Sequence, residues 1–229
     1  MIKNIFIQLL KFRRIRFLIV KYRYLFLKKR MKFFDGGSKS IAEKTIRHNL
    51  TAFNSDSGFG CGQRMGLLIY PVVAHYTFSR IPKAQKKVLI VGCRTEDDIF
   101  WMKAYGFENT FGFDLFSYSK YVLVGDIHKT DFESGSFDIV LLGWMIPYTK
   151  DPKTVILECR RILKSGGLLG IGIQHVPTEE KDAVANTLNS SGDIISLLDE
   201  TLDHKVLFEY DHYNQKDGDL GVAVVSVCH

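Results

Sequence analysis

The sequence predicts an α/β fold, with helices covering both faces of a seven-stranded, mostly parallel sheet that ends in an antiparallel strand, and with an N-terminal helical extension. Strand and helix patterns alternate from Lys86 onward, as expected for a doubly wound parallel sheet. Most of the strand patterns are short, continuous apolar runs, which are typical of strands buried on both faces. The last two strand patterns flank a short turn, QKDGD, and therefore form an antiparallel pair.

Each element of this fold has its own local pattern. Strands are expected at KVLIV (87–91), NTFGFD (109–114), YVLVGD (121–126), SFDIVLLG (136–143), LLGIGIQ (168–174), HKVLFEYDHY (204–213) and LGVAVVSVC (220–228). One helix is expected at TEDDIFWMKAYG (95–106), which has acidic residues in its first turn. Another is expected at DPKTVILECRRILKSGG (151–167), because proline follows its first residue and basic residues and glycines close it. A polar helical segment precedes the final pair of strands.

Charge divides the 229 residues into an N-terminal arm (1–34), a lid-like helical and loop preface (35–85) and the α/β domain (86–229). The formal net charge is +6, but the arm contains eleven Lys or Arg residues and no Asp or Glu. The remainder has 20 basic and 25 acidic residues, a net charge of −5. A basic nucleic-acid-binding face is therefore not expected on the body.

The arm, MIKNIFIQLLKFRRIRFLIVKYRYLFLKKRMKFF, mixes apolar and basic residues throughout. Its longest uncharged run, NIFIQLL, is far shorter than the ~20 apolar residues of a membrane span, and no small-residue cleavage site of a secretory signal follows. Its charges do not gather on one helical face. Three interpretations stay open: contact with an anionic membrane surface, a helix packed against the body or a second subunit, and an extension with Met31 as an alternative start.

The four cysteines are widely spaced and form no C-x-x-C pair: Cys61, Cys93, Cys159 and Cys228. This spacing argues against a zinc site or a disulfide framework. Histidines and acidic residues show no ligand spacing either, so we expect no metal. Reduced thiols indicate a cytoplasmic protein, located at the inner face of the membrane if the arm binds there.

The stretch VLIVGCRTEDDIF (88–100) is typical of a strand that turns at Gly92 into a helix, where free backbone N–H groups can meet a ligand. Asp114 follows 22 residues later at the end of the next strand. This interval suits an acid that accepts hydrogen bonds from ribose hydroxyls. The alternative is a tight turn beside a surface aspartate. Arg94 and Glu96 stand where dinucleotide-binding turns carry glycines.

Several consecutive motifs resemble the class I S-adenosylmethionine-dependent methyltransferases over residues 86 to about 175. VGDIH is similar to the family's strand-three acid motif, and FESGSFDIVLLGWMIPYTKDP to its strand-four segment. RRILKSGG resembles the turn before strand five, with Ser165 in place of proline. DLFSYS (114–119) resembles a type 11-like subgroup of bacterial surface-polysaccharide and small-molecule methyltransferases, whose turn reads glycine, small residue, arginine, polar residue, glutamate.

The resemblance implies a Rossmann-like fold that binds S-adenosylmethionine. It places Asp126 at the adenine amino group and Gly143 and Trp144 along the cofactor, and we add Thr95, Leu115 and Ile127 as neighbours of the predicted contacts. S-adenosylmethionine carries an amino-acid tail and no phosphate, so Arg94 suits its carboxylate, and Glu96 suits its ammonium group or orients Arg94. The alternative for these two is a surface ion pair on the first helical turn.

Only LFSYSK separates Asp114 from the third strand, so the helix usual there in the family is expected to be missing or reduced to a turn. That leaves one edge of the adenine pocket open. We expect residues 57–80, in particular GFGCGQRMG (58–66), to cover it. The alternative is a surface loop leading into a packed helix.

A general base is needed only when the methyl acceptor is a hydroxyl. The candidates follow strands five, four and three: His175 is preferred, with Tyr148 and His128 as the others, although any one histidine could instead be a surface residue.

The sequence favours methyl transfer, by oxygen methylation, to a small polar or glycan-linked acceptor. It leaves open an RNA-directed methyltransferase and a non-catalytic interaction module. A nicotinamide dehydrogenase is least expected, because the pyrophosphate-compatible glycines are absent.

Overall fold

A computed structural model of the chain describes residues 2–35, 46–47, 50–51, 63–174, 188–212 and 221–229. The helices are α1 (Ile2–Leu9), α2 (Arg13–Leu27), α3 (Gly66–His75), α4 (Asp97–Ala104), α5 (Pro152–Ile162) and α6 (Ser191–Asp199). The strands are β1 (Lys32–Phe33), β2 (Val88–Val91), β3 (Thr110–Asp114), β4 (Phe116–Ser117), β5 (Val122–Val124), β6 (Phe137–Gly143), β7 (Leu163–Gln174), β8 (His204–Asp211) and β9 (Gly221–Cys228).

Seven strands form one sheet in the order β5-β3-β2-β6-β7-β9-β8. The first five strands in this order run parallel, and β9 lies antiparallel between β7 and β8. The predicted fold class is confirmed. Every side chain of β2 is buried, because helices cover both faces of the central strands, whereas alternate residues of the edge strand β8 are exposed.

Two helix layers enclose the sheet. Helices α3 and α4 pack on one face of the sheet, and α5 and α6 pack on the other. Each face has one buried apolar cluster. The Asp151 side chain accepts a hydrogen bond from the Thr154 backbone N–H and caps α5, with Pro152 in the first turn. Helix α5 ends at Ile162, so the helix predicted to continue to residue 167 is too long. Leu163–Gly167 instead begin β7, which pairs with β6 across a bulge.

The arm packs against the body as two helices, one of its three predicted alternatives. Helix α2 lies against α4 and against the segment after Asp114, where its Val20 joins Phe100, Phe116 and Tyr118 in a buried cluster. Strand β1 then pairs with β4. No helix in the described residues is both long and apolar enough to cross a bilayer.

The short connection after Asp114 contains no helix, as expected, and the end of the arm pairs with it. The structure places Lys32 opposite Ser117 and Phe33 opposite Phe116, and the Phe34 backbone N–H donates to the Leu115 carbonyl at 2.8 Å. Helix α3 of the preface packs against β7, β8 and β9. Residues 57–62 of the predicted cover lie outside the described residues. The arm thus occupies the flank that the missing helix leaves open.

Candidate functional site

The candidate site follows from the ends of the parallel strands. Gly92 comes directly after β2, Asp114 ends β3, Asp126 lies two residues past β5, and Gly143 ends β6. The parallel registers of these strands bring their carboxyl ends to one edge of the sheet. After β2, the chain adds β3 and then β5 on one side of β2, and then crosses over to add β6 on the other side. A crevice at such a reversal is where open α/β sheets bind ligands.

Two glycines face each other in this crevice. Gly92 has a φ of +72°, and a Cβ there would lie 2.7 Å from the Met145 Cβ. A Cβ on Gly143 would lie 3.0 Å from the Met65 sulfur. The two methionines therefore line the crevice against bare backbone. Met145 was not predicted from sequence, and Met65 only as part of the segment expected to cover the pocket, because a methionine beside a loop carries no pattern that distinguishes a lining residue from a core residue.

Arg94 and Asp114 are joined, but through the arginine backbone. The Arg94 N–H donates to Asp114 Oδ2 at 2.9 Å, and the Leu115 N–H donates to Oδ1 at 2.7 Å. Asp114 is 7% exposed, and burial raises its pKa while these amides and the Arg94 charge oppose the shift. Asp114 therefore fixes the turn after β2 and also offers carboxylate oxygens at the predicted ribose position.

Backbone strain is concentrated at this edge. Arg94 and Trp144 have φ values of 55° and 56°, and they are the non-glycine residues with positive φ in the described chain. A left-handed conformation costs an ordinary residue about 1–2 kcal/mol, and such strain tends to persist at functional sites. Hydrogen bonds hold both: Arg94 donates to Asp114, and the Trp144 N–H donates to the Gly172 carbonyl at 3.0 Å. Strain and predicted site coincide.

Glu96 has other partners than those the sequence suggested. Its carboxylate is fully buried, with Oε1 accepting from Arg23 Nε at 3.0 Å and Oε2 from the Tyr118 hydroxyl at 2.8 Å. A cofactor ammonium group cannot reach it in this conformation, and it is not a surface residue paired with Arg94. The pairing ties the turn after β2 both to the arm and to the DLFSYS segment. Sequence reasoning missed Arg23 because its partner lies 73 positions away.

Asp126 and His128 form a dyad beyond β5. Asp126 Oδ1 accepts from the His128 backbone N–H at 3.0 Å and contacts Nδ1 of its ring at 2.6 Å. This contact raises the pKa of His128 and lowers the pKa of Asp126. Nε2 of His128 is buried and has no partner among the described residues. An aspartate at Nδ1 favours the tautomer that leaves Nε2 as the basic nitrogen.

The dyad predicts a pH-dependent contribution to stability. Because the pKa of His128 is raised on folding, its contribution is complete below the unfolded value of about 6.5 and is lost as pH rises through the folded value. Because the pKa of Asp126 is lowered, its contribution is present above about 3.9 and is lost as pH falls. Denaturant unfolding should therefore show Asp126→Asn more destabilising at pH near 5.5 than at pH near 8.5. An exposed control, Asp131→Asn, should show no such difference; equal losses at both pH values for Asp126→Asn would contradict the prediction.

The remaining predicted residues divide into three groups. Thr95 Oγ1 accepts from the Asp97 N–H at 3.3 Å, and Ile127 is buried in the core cluster with Phe113, so both support the edge from below. Tyr148 is 53% exposed on the short 3-10 helix that follows Met145. His175, the preferred base, lies outside the described residues.

Trp144 packs against β7. Its ring would lie 2.7 Å from a Cβ built on Gly172, so glycine at that position of β7 makes room for the indole. The indole Nε1 is buried and has no partner among the described residues. Arg64 Nη1 donates to Gln174 Oε1 at 2.9 Å and ties the preface to the end of β7.

Comparison with known families decides the class of the protein. Residues 89–171, from β2 into β7, match a family described as a methyltransferase domain. Over these residues, the chain is similar to methyltransferases. The matched range contains every strand end of the candidate site, so the predicted class I enzyme type and its cofactor, S-adenosylmethionine, are confirmed. No curated protein matches the chain.

Solved structures resemble the methyltransferase domain in fold at low sequence identity. A chain from the complex of the Haloferax volcanii Trm112 methyltransferase activator with a methyltransferase has a TM-score of 0.56 at 14% identity, covering 83% of this chain and 97% of that one. An S-adenosylmethionine-dependent methyltransferase from Mesorhizobium loti has a TM-score of 0.52 at 12% identity, with coverages of 69% and 96%. A SAM-dependent methyltransferase from Thermotoga maritima has a TM-score of 0.51 at 16% identity, with coverages of 82% and 99%.

The described cysteines are buried structural residues. The Cys93, Cys159 and Cys228 thiols are buried and unpaired, and burial raises the pKa of each. Buried thiols with raised pKa values are poor nucleophiles. Within the described ranges, no three His, Cys, Asp or Glu side chains come together as a metal site.

Proposed function

We propose that the domain transfers a methyl group from S-adenosylmethionine to an oxygen of a small polar or glycan-linked acceptor. The observation that carries the proposal is the set of side chains at the carboxyl edge of the sheet. One carboxylate ends β3 and another follows β5, glycines lie at the ends of β2 and β6, and the strained residues Arg94 and Trp144 stand beside them. The DLFSYS segment supports an acceptor of the polysaccharide or small-molecule class.

The residues at this edge suit the parts of the cofactor. Asp114 would accept hydrogen bonds from the ribose hydroxyls. Asp126 would accept from the adenine amino group through Oδ2, because both of its contacts to His128 use Oδ1. The Arg94 guanidinium would bind the tail carboxylate, and Gly92 and Gly143 would admit the tail between Met65 and Met145. When bound, S-adenosylmethionine supplies an electrophilic methyl group on its sulfonium.

The protein's part in catalysis would be to position the acceptor and to remove its proton. Positioning alone supplies much of the rate of an in-line displacement. Among the described candidates, His128 is oriented by Asp126 with Nε2 as its basic nitrogen, and Tyr148 is exposed near the end of β6. Its raised pKa makes His128 a stronger base, which is neutral in a smaller fraction of molecules at a given pH. His175 stays a third candidate.

Calorimetric titration with S-adenosylmethionine and S-adenosylhomocysteine tests the proposed cofactor site. We expect the wild type to bind both and Asp114→Ala to bind about tenfold to a hundredfold more weakly, because charge-assisted hydrogen bonds of roughly 1.5–3 kcal/mol are lost. Asp131→Ala removes an exposed carboxylate and is the matched control, and circular dichroism establishes that each variant is folded. Heat from neither ligand with the wild type would refute the enzyme. Unchanged affinity in Asp114→Ala would refute only the ribose assignment.

The acceptor class requires a separate assay. Incubation with methyl-labelled S-adenosylmethionine and panels of sugar nucleotides, glycans and hydroxylated metabolites should label a member of the hydroxyl-bearing set. Loss of labelling in His128→Gln or Tyr148→Phe, with unchanged binding of S-adenosylhomocysteine, would identify the base. Labelling confined to amines would refute oxygen methylation and leave the cofactor site intact.

A further inference from the structure

Helix α2 presents its side chains in an unusual way. Two of its arginines, Arg16 and Arg23, face the body, where they pair with Asp97 and Glu96. Its large apolar side chains Leu18, Tyr22, Leu25 and Phe26 are instead exposed, by 53–66%. Helices on the surface of a globular protein normally bury their apolar stripe and expose their charges.

The exposed side chains form one face. Leu18, Tyr22, Leu25 and Phe26 follow the i, i+4, i+7, i+8 spacing of a single helical stripe. The Tyr22 and Phe26 rings contact each other, with centroids 4.4 Å apart. Phe12 is also 62% exposed, and it borders a shallow groove whose lining includes Phe17 and Leu18. An exposed apolar face of this kind marks an interaction surface.

The charges around this face select its partner. Exposed basic residues flank it at both ends of α2, namely Arg13, Arg14, Lys28, Lys29 and Arg30. Residues 1–34 contain no acidic residue. Two copies of the chain meeting through this face would bring these cations together, which is unfavourable. The partner is therefore expected to be anionic and also able to accept apolar side chains.

We propose that the exposed face of α2 docks the protein on an anionic lipid surface. Phenylalanine, tyrosine and leucine enter the boundary between headgroups and acyl chains, and the flanking lysines and arginines bind acidic headgroups. The helix lies in the plane of the interface. The arginines that attach α2 to the body point away from the lipid, so docking leaves the pairs with Asp97 and Glu96 intact.

Vesicle co-sedimentation of the full-length protein tests this docking. Wild type is expected to bind phosphatidylcholine vesicles containing about one quarter phosphatidylglycerol at least about tenfold more tightly than pure phosphatidylcholine, and less tightly as salt is raised. Leu18→Ser/Phe26→Ser is expected to lose at least about tenfold of that binding. Phe78→Ser is the matched control, since Phe78 is 93% exposed outside the arm.

Each other outcome overturns the proposal. It fails if wild type does not sediment with anionic vesicles, if it binds neutral vesicles equally well, or if the double variant binds like Phe78→Ser. Tyr22→Ser/Leu25→Ser repeats the test on the same face in case the first variant does not fold. Light scattering that shows a dimer, dissociated by the same substitutions, would assign the face to a second copy instead. None of these results depends on methyl transfer.

Discussion

Arg16→Met is expected to lower the free energy of unfolding by about 3–5 kcal/mol, the usual cost of leaving one member of a buried ion pair behind. Arg16 is 2% exposed, and its Nε donates to Asp97 Oδ1 at 2.9 Å. Its Nη1 donates to the carbonyls of Leu10 and Lys11 at 2.8 and 3.0 Å, and its guanidinium lies 4.3 Å from the Trp101 ring centre. The substitution leaves the Asp97 carboxylate buried without its cation.

Denaturant unfolding measures this loss against two further variants. Arg13→Met removes an exposed cation from the same helix and should change stability by no more than about 0.5 kcal/mol. Arg16→Met/Asp97→Leu removes both charges and should recover part of the single-variant loss, because the unpaired carboxylate is gone. If Arg16→Met costs no more than Arg13→Met, the ion pair does not hold the arm to the body.

The arm shows why part of the fold was beyond sequence reasoning. Local patterns predicted the strands and their order of appearance well, since buried parallel strands are continuous apolar runs. They could not predict that α2 buries Arg16 and Arg23, because the acids that make this burial possible lie 81 and 73 positions away. Two signals pointed to it: the arm carries only basic charges beside an acidic body, and the helix after Asp114 is missing. The packing of the arm against the body accounts for both signals.

The positions of the candidate site residues were predicted from sequence better than their hydrogen-bond partners were. Gly92, Asp114, Asp126 and Gly143 were placed at strand ends by spacing and resemblance, and the sheet registers bring those ends together. The partners of Glu96 could not be predicted, because sequence reveals a residue type and not the direction of its side chain. The two sequence patterns that carry the subgroup resemblance are in physical contact, because Glu96 accepts a hydrogen bond from the Tyr118 hydroxyl. The DLFSYS segment therefore supports the turn after β2 structurally, in addition to carrying the subgroup resemblance.

Glu96→Ala is expected to weaken S-adenosylmethionine binding about tenfold, because it releases the turn that carries Gly92 and Arg94, and small displacements of positioning groups have large effects. It leaves the Arg23 guanidinium and the buried Tyr118 hydroxyl without their carboxylate, so stability falls as well. Tyr118→Phe, which keeps the Arg23 pair, should weaken binding less.

Calorimetric titration with S-adenosylmethionine measures these affinities, and Arg16→Met is the decisive control. That variant breaks another buried arm contact, through Asp97, and leaves Glu96 paired, so its affinity should stay within about threefold of wild type if Glu96 positions the turn specifically. Equal weakening in Glu96→Ala and Arg16→Met would show that the arm supports the cofactor site only through overall stability.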